Sequence, residues 1–267
     1  MADLTVPGGV DGGPKGARRL RPLAGVVLLT LALVGLAPHP ASRAATGTVQ
    51  DSSPIYVGAF TTDGQRCTAT LVKPWMAITA KHCGTSNPEL KVGVTSISDS
   101  DPGKVYAVSK IVQHPDLDLE ALYLTWSAPW DDGFVSWGDG SEYDPASGVP
   151  IRAWGFGVDR RNVSSELLEM AEFAKTDPCP SGLDSTEGDF CFNTTYSESL
   201  CSGDSGGPIT QGDKIVAMAT TVKTSSSPPL NCENVVAAQA IALPTVAGWL
   251  SDRSCEAAPP EQWPCGN

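Results

Sequence analysis

Residues 201–208 read Cys201-Ser202-Gly203-Asp204-Ser205-Gly206-Gly207-Pro208, a serine set in a glycine-rich turn. Gly203 and Gly206 lack a Cβ, so the chain there can take positive φ or pass close to a ligand. Ser205 is therefore a candidate nucleophile, and the backbone amides of Gly203 and Ser205 are candidate oxyanion donors. A Ser/Gly-rich surface turn is the plainer reading, so the chemistry needs a base and an orienting acid elsewhere in the chain.

The first residues upstream do not read as fold. A basic cluster, Arg18-Arg19-Leu20-Arg21, precedes an apolar run from Leu23 to Ala37 and then Pro38-His39-Pro40-Ala41-Ser42-Arg43-Ala44-Ala45. A positive flank, a short apolar core and small residues at the end form a secretory signal. The run is shorter than the about 20 residues that span a membrane. Export with cleavage after Ala44 or Ala45 is expected, giving a signal peptide over 1–44, a secreted domain over 45–250 and an appended tail over 251–267.

The leader carries five basic and two acidic residues, so its removal takes the net charge from −12 to −15. So acidic a domain repels nucleic acid and anionic lipid, which are bound mainly through Lys and Arg. No nucleic-acid partner and no membrane association after cleavage are expected, and a monomer is the expected state. All eight cysteines, Cys67, Cys83, Cys179, Cys191, Cys201, Cys232, Cys255 and Cys265, lie after the leader. An even count in an exported chain reads as a disulfide framework, although eight cysteines allow 105 connectivities. The absence of a Cys-x-x-Cys pair argues against a zinc ribbon or a redox motif, and no metal or cofactor is expected.

Short β-type runs between turn residues fill the body: Ile55–Val57, Ala69–Val72, Met76–Thr79, Lys91–Val94, Val105–Val112, Ala121–Thr125, Pro150–Trp154 and Ile215–Val222. Such spacing predicts an all-β barrel or sandwich. Ala242–Leu250 has helical spacing, with Pro244 early in it. Removing the leader with His39 leaves two histidines as candidate bases, His82 in Ile78-Thr79-Ala80-Lys81-His82-Cys83 and His114 before Pro115. His82 lies beside a cysteine that a disulfide could hold rigid.

Ile78–Cys83 resembles the Thr-Ala-Ala-His-Cys block of the trypsin/chymotrypsin family of serine proteases, with Lys81 in place of the second alanine. Asp118-Leu119-Glu120-Ala121-Leu122 resembles that family's Asp-Ile-Ala-Leu-Leu block, and Cys201–Pro208 its nucleophile loop. The chain order His, Asp, Ser is also the family's order. Ala153-Trp154-Gly155 is similar to its Gly-Trp-Gly segment and Trp249-Leu250 to its closing helix, so the resemblance covers about Pro54 to Leu250.

The resemblance implies two antiparallel six-stranded β-barrels, a short C-terminal helix and a secreted endopeptidase acting on proteins or peptides. Ser205 would be the nucleophile, His82 the base and Asp118 the orienting acid. Asp116 and Glu120 share the parity of Asp118 on a strand and could face the same way; the register of the block favours Asp118. His114 is then a turn residue. The resemblance also implies pairing of Cys67 with Cys83, Cys179 with Cys191 and Cys201 with Cys232, leaving Cys255 with Cys265.

Two departures stand out. No Ile-Val-Gly-Gly start is present, so Asp204 is expected to meet either the amine freed near Ser42–Thr46 or Arg152. The position six before the nucleophile, acidic in trypsins, is Ser199. Leu200, Val222 and Ala238 are expected to make a shallow pocket that prefers small or medium apolar residues before the cut. Alternative readings are a catalytically silent binding module on the same fold and a zymogen processed at a further site.

Overall fold

A computed structural model describes residues 48–100, 104–128, 143–158, 166–176, 179–181, 183, 190–194, 199–224, 232 and 235–258. The leader, its cleavage site and Cys265 lie outside these residues.

Seven strands come first: β1 (Thr48–Val49), β2 (Val57–Thr62), β3 (Gln65–Lys73), β4 (Met76–Thr79), β5 (Glu89–Val92), β6 (Val105–Gln113) and β7 (Glu120–Leu124). Strands β2 to β7 close into a six-stranded antiparallel barrel in the order β2-β3-β4-β7-β6-β5. Its core is filled by Phe60, Leu71, Ile78, Leu90 and Leu122, each essentially without exposure. Every residue of β4 and β7 is buried. Two-sided burial of this kind removes the polar alternation that a half-exposed strand displays.

The second half contributes β8 (Ile151–Gly155), β9 (Glu169–Phe173), β10 (Lys175–Thr176), β11 (Phe190–Asn193), β12 (Pro208–Gln211), β13 (Lys214–Thr224) and β14 (Val235–Ala242). With β1 these form an eight-stranded sheet, ordered β1-β9-β8-β12-β13-β14-β11-β10, whose outermost strands are two residues long. A second core of Ile151, Phe173, Phe190, Phe192 and Ile209 packs on it. The architecture is the all-β double barrel with a short C-terminal helix.

The C-terminal helix lies later than its periodicity predicts. Leu243–Val246 forms a 3-10 turn that accommodates Pro244, and α1 runs from Ala247 to Ala257. Proline is tolerated there because the first turn of a helix needs no N–H donor. The helix therefore continues past Leu250 into the segment assigned to the tail. Long-range partners hold it: Trp75 Nε1 donates to Ser254 O at 2.9 Å, and Tyr123 Oη donates to Glu256 Oε2 at 3.0 Å. Lys110 and Arg253 also pair with Glu256.

Disulfides join Cys67 to Cys83, Cys179 to Cys191 and Cys201 to Cys232, the first three pairs named above. Cys255 is disulfide-bonded.

Candidate active site

The two halves are stitched together at the nucleophile loop. Thr68 on β3 takes Ser205 O with its amide at 2.9 Å and Gly203 O with its hydroxyl at 2.9 Å. The same hydroxyl accepts from Phe156 N at 3.0 Å, and Thr70 Oγ1 donates to Gly206 O at 2.8 Å. Buried threonines are tolerated here because their hydroxyls are satisfied across the interface. Gly206 sits at φ +86°, and a Cβ there would fall 2.1 Å from both Thr68 O and Thr79 Oγ1. No other residue fits this turn without moving the barrel against the sheet.

His82 lies in the single 3-10 turn Lys81–Cys83 that ends β4, pinned by the Cys67–Cys83 disulfide. Its Nδ1 is 2.6 Å from Asp118 Oδ2, and its backbone amide donates to Asp118 Oδ1 at 2.9 Å. Its Nε2 is 3.0 Å from Ser205 Oγ. Ser205 Oγ also lies 3.3 Å from the Thr220 carbonyl. Burial pushes the Asp118 carboxyl upward, but the bonds and charge of His82, with Lys81, outweigh it and hold the pKa below the ordinary carboxylate value. A carboxylate that stays ionised against Nδ1–H leaves Nε2 free to accept a proton. Among the described residues, the amides of Gly203 and Ser205 donate to no acceptor, whereas those of Asp204 and Gly207 are spent inside the loop and that of Gly206 on Ala219 O of β13. Gly203 takes φ +100°.

Of the three acids near the second block, Asp118 touches His82. Asp116 uses its amide on His114 Nδ1 at 3.2 Å. His114 is a turn residue: Leu117 N also donates to it, and its ring lies 5.1 Å from that of Trp249.

Asp204 is buried at 1 % exposure, with Oδ1 accepting from Gly157 N and Oδ2 from Cys201 N, each at 2.8 Å. The glycines at 155 and 157 make this room, since a Cβ at either would lie within 2.6 Å of the carboxylate. Burial, against those two amide bonds, pushes its pKa up to about 7. Of the two partners offered for Asp204 by the sequence, Arg152 is not in contact with it. Arg152 Nε donates to Glu172 Oε1 at 2.8 Å. The physical reason is strand alternation: β8 buries Ile151, Ala153 and Gly155 and turns Arg152 outward, opposite its cross-strand neighbour Glu172.

Ser199 and Leu200 are buried, as is Ala238, while Val222 is half-buried. Leu200, Val222 and the Ala219–Thr221 segment bound a recess beside Ser205 of only about 10 Å3. On the opposite side of Ser205, a cleft of about 670 Å3 opens against the β2–β3 hairpin. Sequence reasoning missed this cleft and Arg66 on its wall. The signal was present in Cys67: a bridge from there to the His82 turn places its neighbour Arg66 beside the base.

Glu120, weighed above as an orienting acid, is instead a fully buried carboxyl with Gln113 Nε2 donating to one oxygen at 3.3 Å and no partner on the other. Burial pushes its pKa from 4.5 up to about 7; the Gln113 bond opposes this and the charge of Asp118 adds to it. The unfolded chain ionises this group near 4.5, whereas the folded chain keeps the proton. Its contribution is therefore fully present below about pH 4.5 and is lost as pH rises toward 7, amounting to about 3 kcal/mol. In a Ser205→Ala background that cannot digest itself, Glu120→Gln should leave stability nearly unchanged at pH 4.5. At pH 8 it should raise stability by about 2–3 kcal/mol. Urea unfolding at the two pH values checks this, and an equal effect at both would overturn it.

The family model described as Trypsin matches residues 44–240. A curated "Trypsin" of Saccharopolyspora erythraea is 26% identical over 194 residues, covering 64% of this chain and 82% of that protein. The atomic-resolution structure of HBP superposes with a TM-score of 0.61 at 14% identity, over 77% of this chain and 94% of that one. That likeness carries the fold alone. The family match spans well over half of the chain: the protein belongs to the trypsin family.

Proposed function

We propose that the protein is a secreted serine endopeptidase that works through an acyl-enzyme, with Ser205 as nucleophile, His82 as base and Asp118 as orienting acid. The observation that carries the reading is one continuous line of contacts, Asp118 to His82 Nδ1 at 2.6 Å and His82 Nε2 to Ser205 Oγ at 3.0 Å. Unspent Gly203 and Ser205 amides lie beside it.

Ser205 Oγ attacks the carbonyl carbon as its proton passes to His82 Nε2. The oxyanion accepts from the amides of Gly203 and Ser205, each worth about 3–4 kcal/mol of transition-state stabilisation. His82 then gives the proton to the leaving nitrogen, the C–N bond breaks and the acyl group stays on Ser205. Water repeats the sequence: His82 takes its proton, the hydroxyl adds to the acyl carbon, and the proton returns to Ser205 Oγ as the acid leaves. Fluorophosphonate labelling of Ser205 in the secreted chain tests the reading; no labelling of the processed chain would favour the silent binding module.

A second reading concerns timing. Among the described residues Asp204 has two amide donors and no cation, and a buried carboxylate of this kind is costly unless it is neutral or paired. We assign its missing partner to the amine freed when the leader is cut near residues 42–46, which makes the leader-bearing chain a zymogen. In the labelling experiment, the leader-bearing chain then reacts poorly and the chain with its new N-terminus reacts well. Equal labelling of both would remove this role for the amine.

The shallow recess supports small residues before the cut. About 10 Å3 is the space of a single water molecule or less. Peptides with Ala or Gly at that position should be cut at least about tenfold faster in kcat/KM than those with Phe or Arg, the order of one or two misplaced methylenes. Efficient cleavage after Arg in a mixed peptide library would contradict this.

A further inference from the structure

The cleft on the hairpin side of Ser205 has a single fixed charge among its described lining residues. It is lined by Thr62, Gln65, Arg66, His82, Gly203 and Ser205, among others. The nearby polar side chains are turned inward: Thr62 Oγ1 donates to Cys83 O at 2.8 Å. The Gln65 amide, oriented to donate, reaches His82 O at 3.0 Å and Cys83 O at 3.2 Å. Arg66 is half-buried, and its guanidinium enters none of the ion pairs or side-chain hydrogen bonds of the described residues. In a chain of net charge −12, a half-buried arginine beside Ser205 with no acidic partner among the described residues is conspicuous.

Its position is fixed firmly. Cys67, the next residue, is bridged to the His82 turn, and Thr68 is bonded to the nucleophile loop through both amide and hydroxyl. A Cβ placed on Gly203 would lie 3.5 Å from Arg66 O, so this strand runs directly past the oxyanion donors. The small recess receives the residue before the cut, which leaves the cleft to the departing segment. Three extended residues span at most about 10 Å, within reach of an arginine side chain rooted there.

We propose that Arg66 selects a carboxylate on the leaving side of the scissile bond, supplied by an acidic side chain within the first three residues or by the C-terminus of a short leaving peptide. This rests on the endopeptidase reading. Arginine suits the task, since its planar fork grips a carboxylate through two parallel hydrogen bonds. Burying the pair only on substrate binding explains why no acid of the protein itself occupies the guanidinium.

Quenched peptides identical up to the cut, with Ala before it, test the proposal. They carry Glu, Gln or Lys at the second position after the cut, on leaving segments that are long and amidated or two residues long and free. Expected for the wild-type processed chain is a kcat/KM about fivefold or more higher for Glu than for Gln, with Lys lowest, compressed by added salt. Arg66→Glu should invert the Glu/Lys order, and Arg66→Lys should keep it in weaker form. A gain confined to short peptides with a free terminus assigns the carboxylate to the chain end, and a gain in amidated peptides assigns it to the side chain. A flat series from a chain that a fluorophosphonate labels at Ser205 overturns the role of Arg66 and leaves the endopeptidase reading standing. Failure of both cleavage and labelling overturns the endopeptidase reading, and the proposal with it.

Discussion

Replacing Ser205 by alanine should abolish fluorophosphonate labelling and lower kcat by about 10^6-fold, with KM little changed. The hydroxyl makes two contacts, to His82 Nε2 at 3.0 Å and to the Thr220 carbonyl at 3.3 Å, and neither is structural support for a barrel. The alanine chain should therefore fold and unfold like its parent. Binding determinants and the Gly203 and Ser205 amides survive the substitution, so a residual acceleration of about 10^3–10^4 over water is expected. The double variant Ser205→Ala/His82→Ala should be no slower than either single one. Groups that act as one unit lose their function together, and additive losses would mean that His82 serves some separate purpose. The measurement is steady-state hydrolysis of a peptide with Ala before the cut.

Asp118→Asn is the second large effect, a fall in kcat of about 10^4-fold with substrate binding retained. Asp118 accepts from His82 twice, at its ring and at its backbone amide. An asparagine that keeps the backbone bond with its oxygen must present its NH2 to Nδ1. The ring then carries its proton on Nε2, where it faces Ser205 and can accept nothing. Because the geometry is intact, the protein should retain its fold and its affinity for a small-residue peptide. A loss of less than tenfold would point to a different orienting acid. Neither neighbour replaces it: both bonds from His82 to a carboxylate go to Asp118, Asp116 meets His114 only through its backbone amide, and the Glu120 side chain is enclosed and bonded to Gln113.

Most of the site was legible because its parts are local. Each triad member sits in a short segment punctuated by cysteine, glycine or aspartate, and the chemistry of a nucleophile turn needs only neighbouring residues. Most strands of the first barrel were legible for a related reason, Val105–Gln113 for instance being rich in residues that favour a pleated surface, but the run Ile55–Val57 proves to be the turn leading into β2, Val57–Thr62. The sheet of the second half was harder to read. Strand β14, Val-Val-Ala-Ala-Gln-Ala-Ile-Ala, is half alanine, and it is a strand because β13 and β11 pair with it on both sides. In β9 the buried positions are Glu169, Ala171 and Phe173, so its alternation is hidden behind a buried acid. The helix was displaced in the reading because Trp75, Tyr123 and Lys110, all more than a hundred residues away, decide where it ends.

By itself, the sequence determined the fold class and singled out the candidate reacting groups and their order, since these depend on residue type and short spacing. Only the tertiary structure decided how charges are partnered and how large the recesses are. Arg152 meets Glu172 because the β8–β9 register places them opposite each other on the outer face. Among the described residues, Asp204 is left with amides alone, and Arg66 lines the cleft. The recess bounded by Leu200 and Val222 closes to about 10 Å3, while the cleft against the β2–β3 hairpin opens to about 670 Å3. Such outcomes depend on distances between segments far apart in the chain, set by strand register and packing, which no local pattern records.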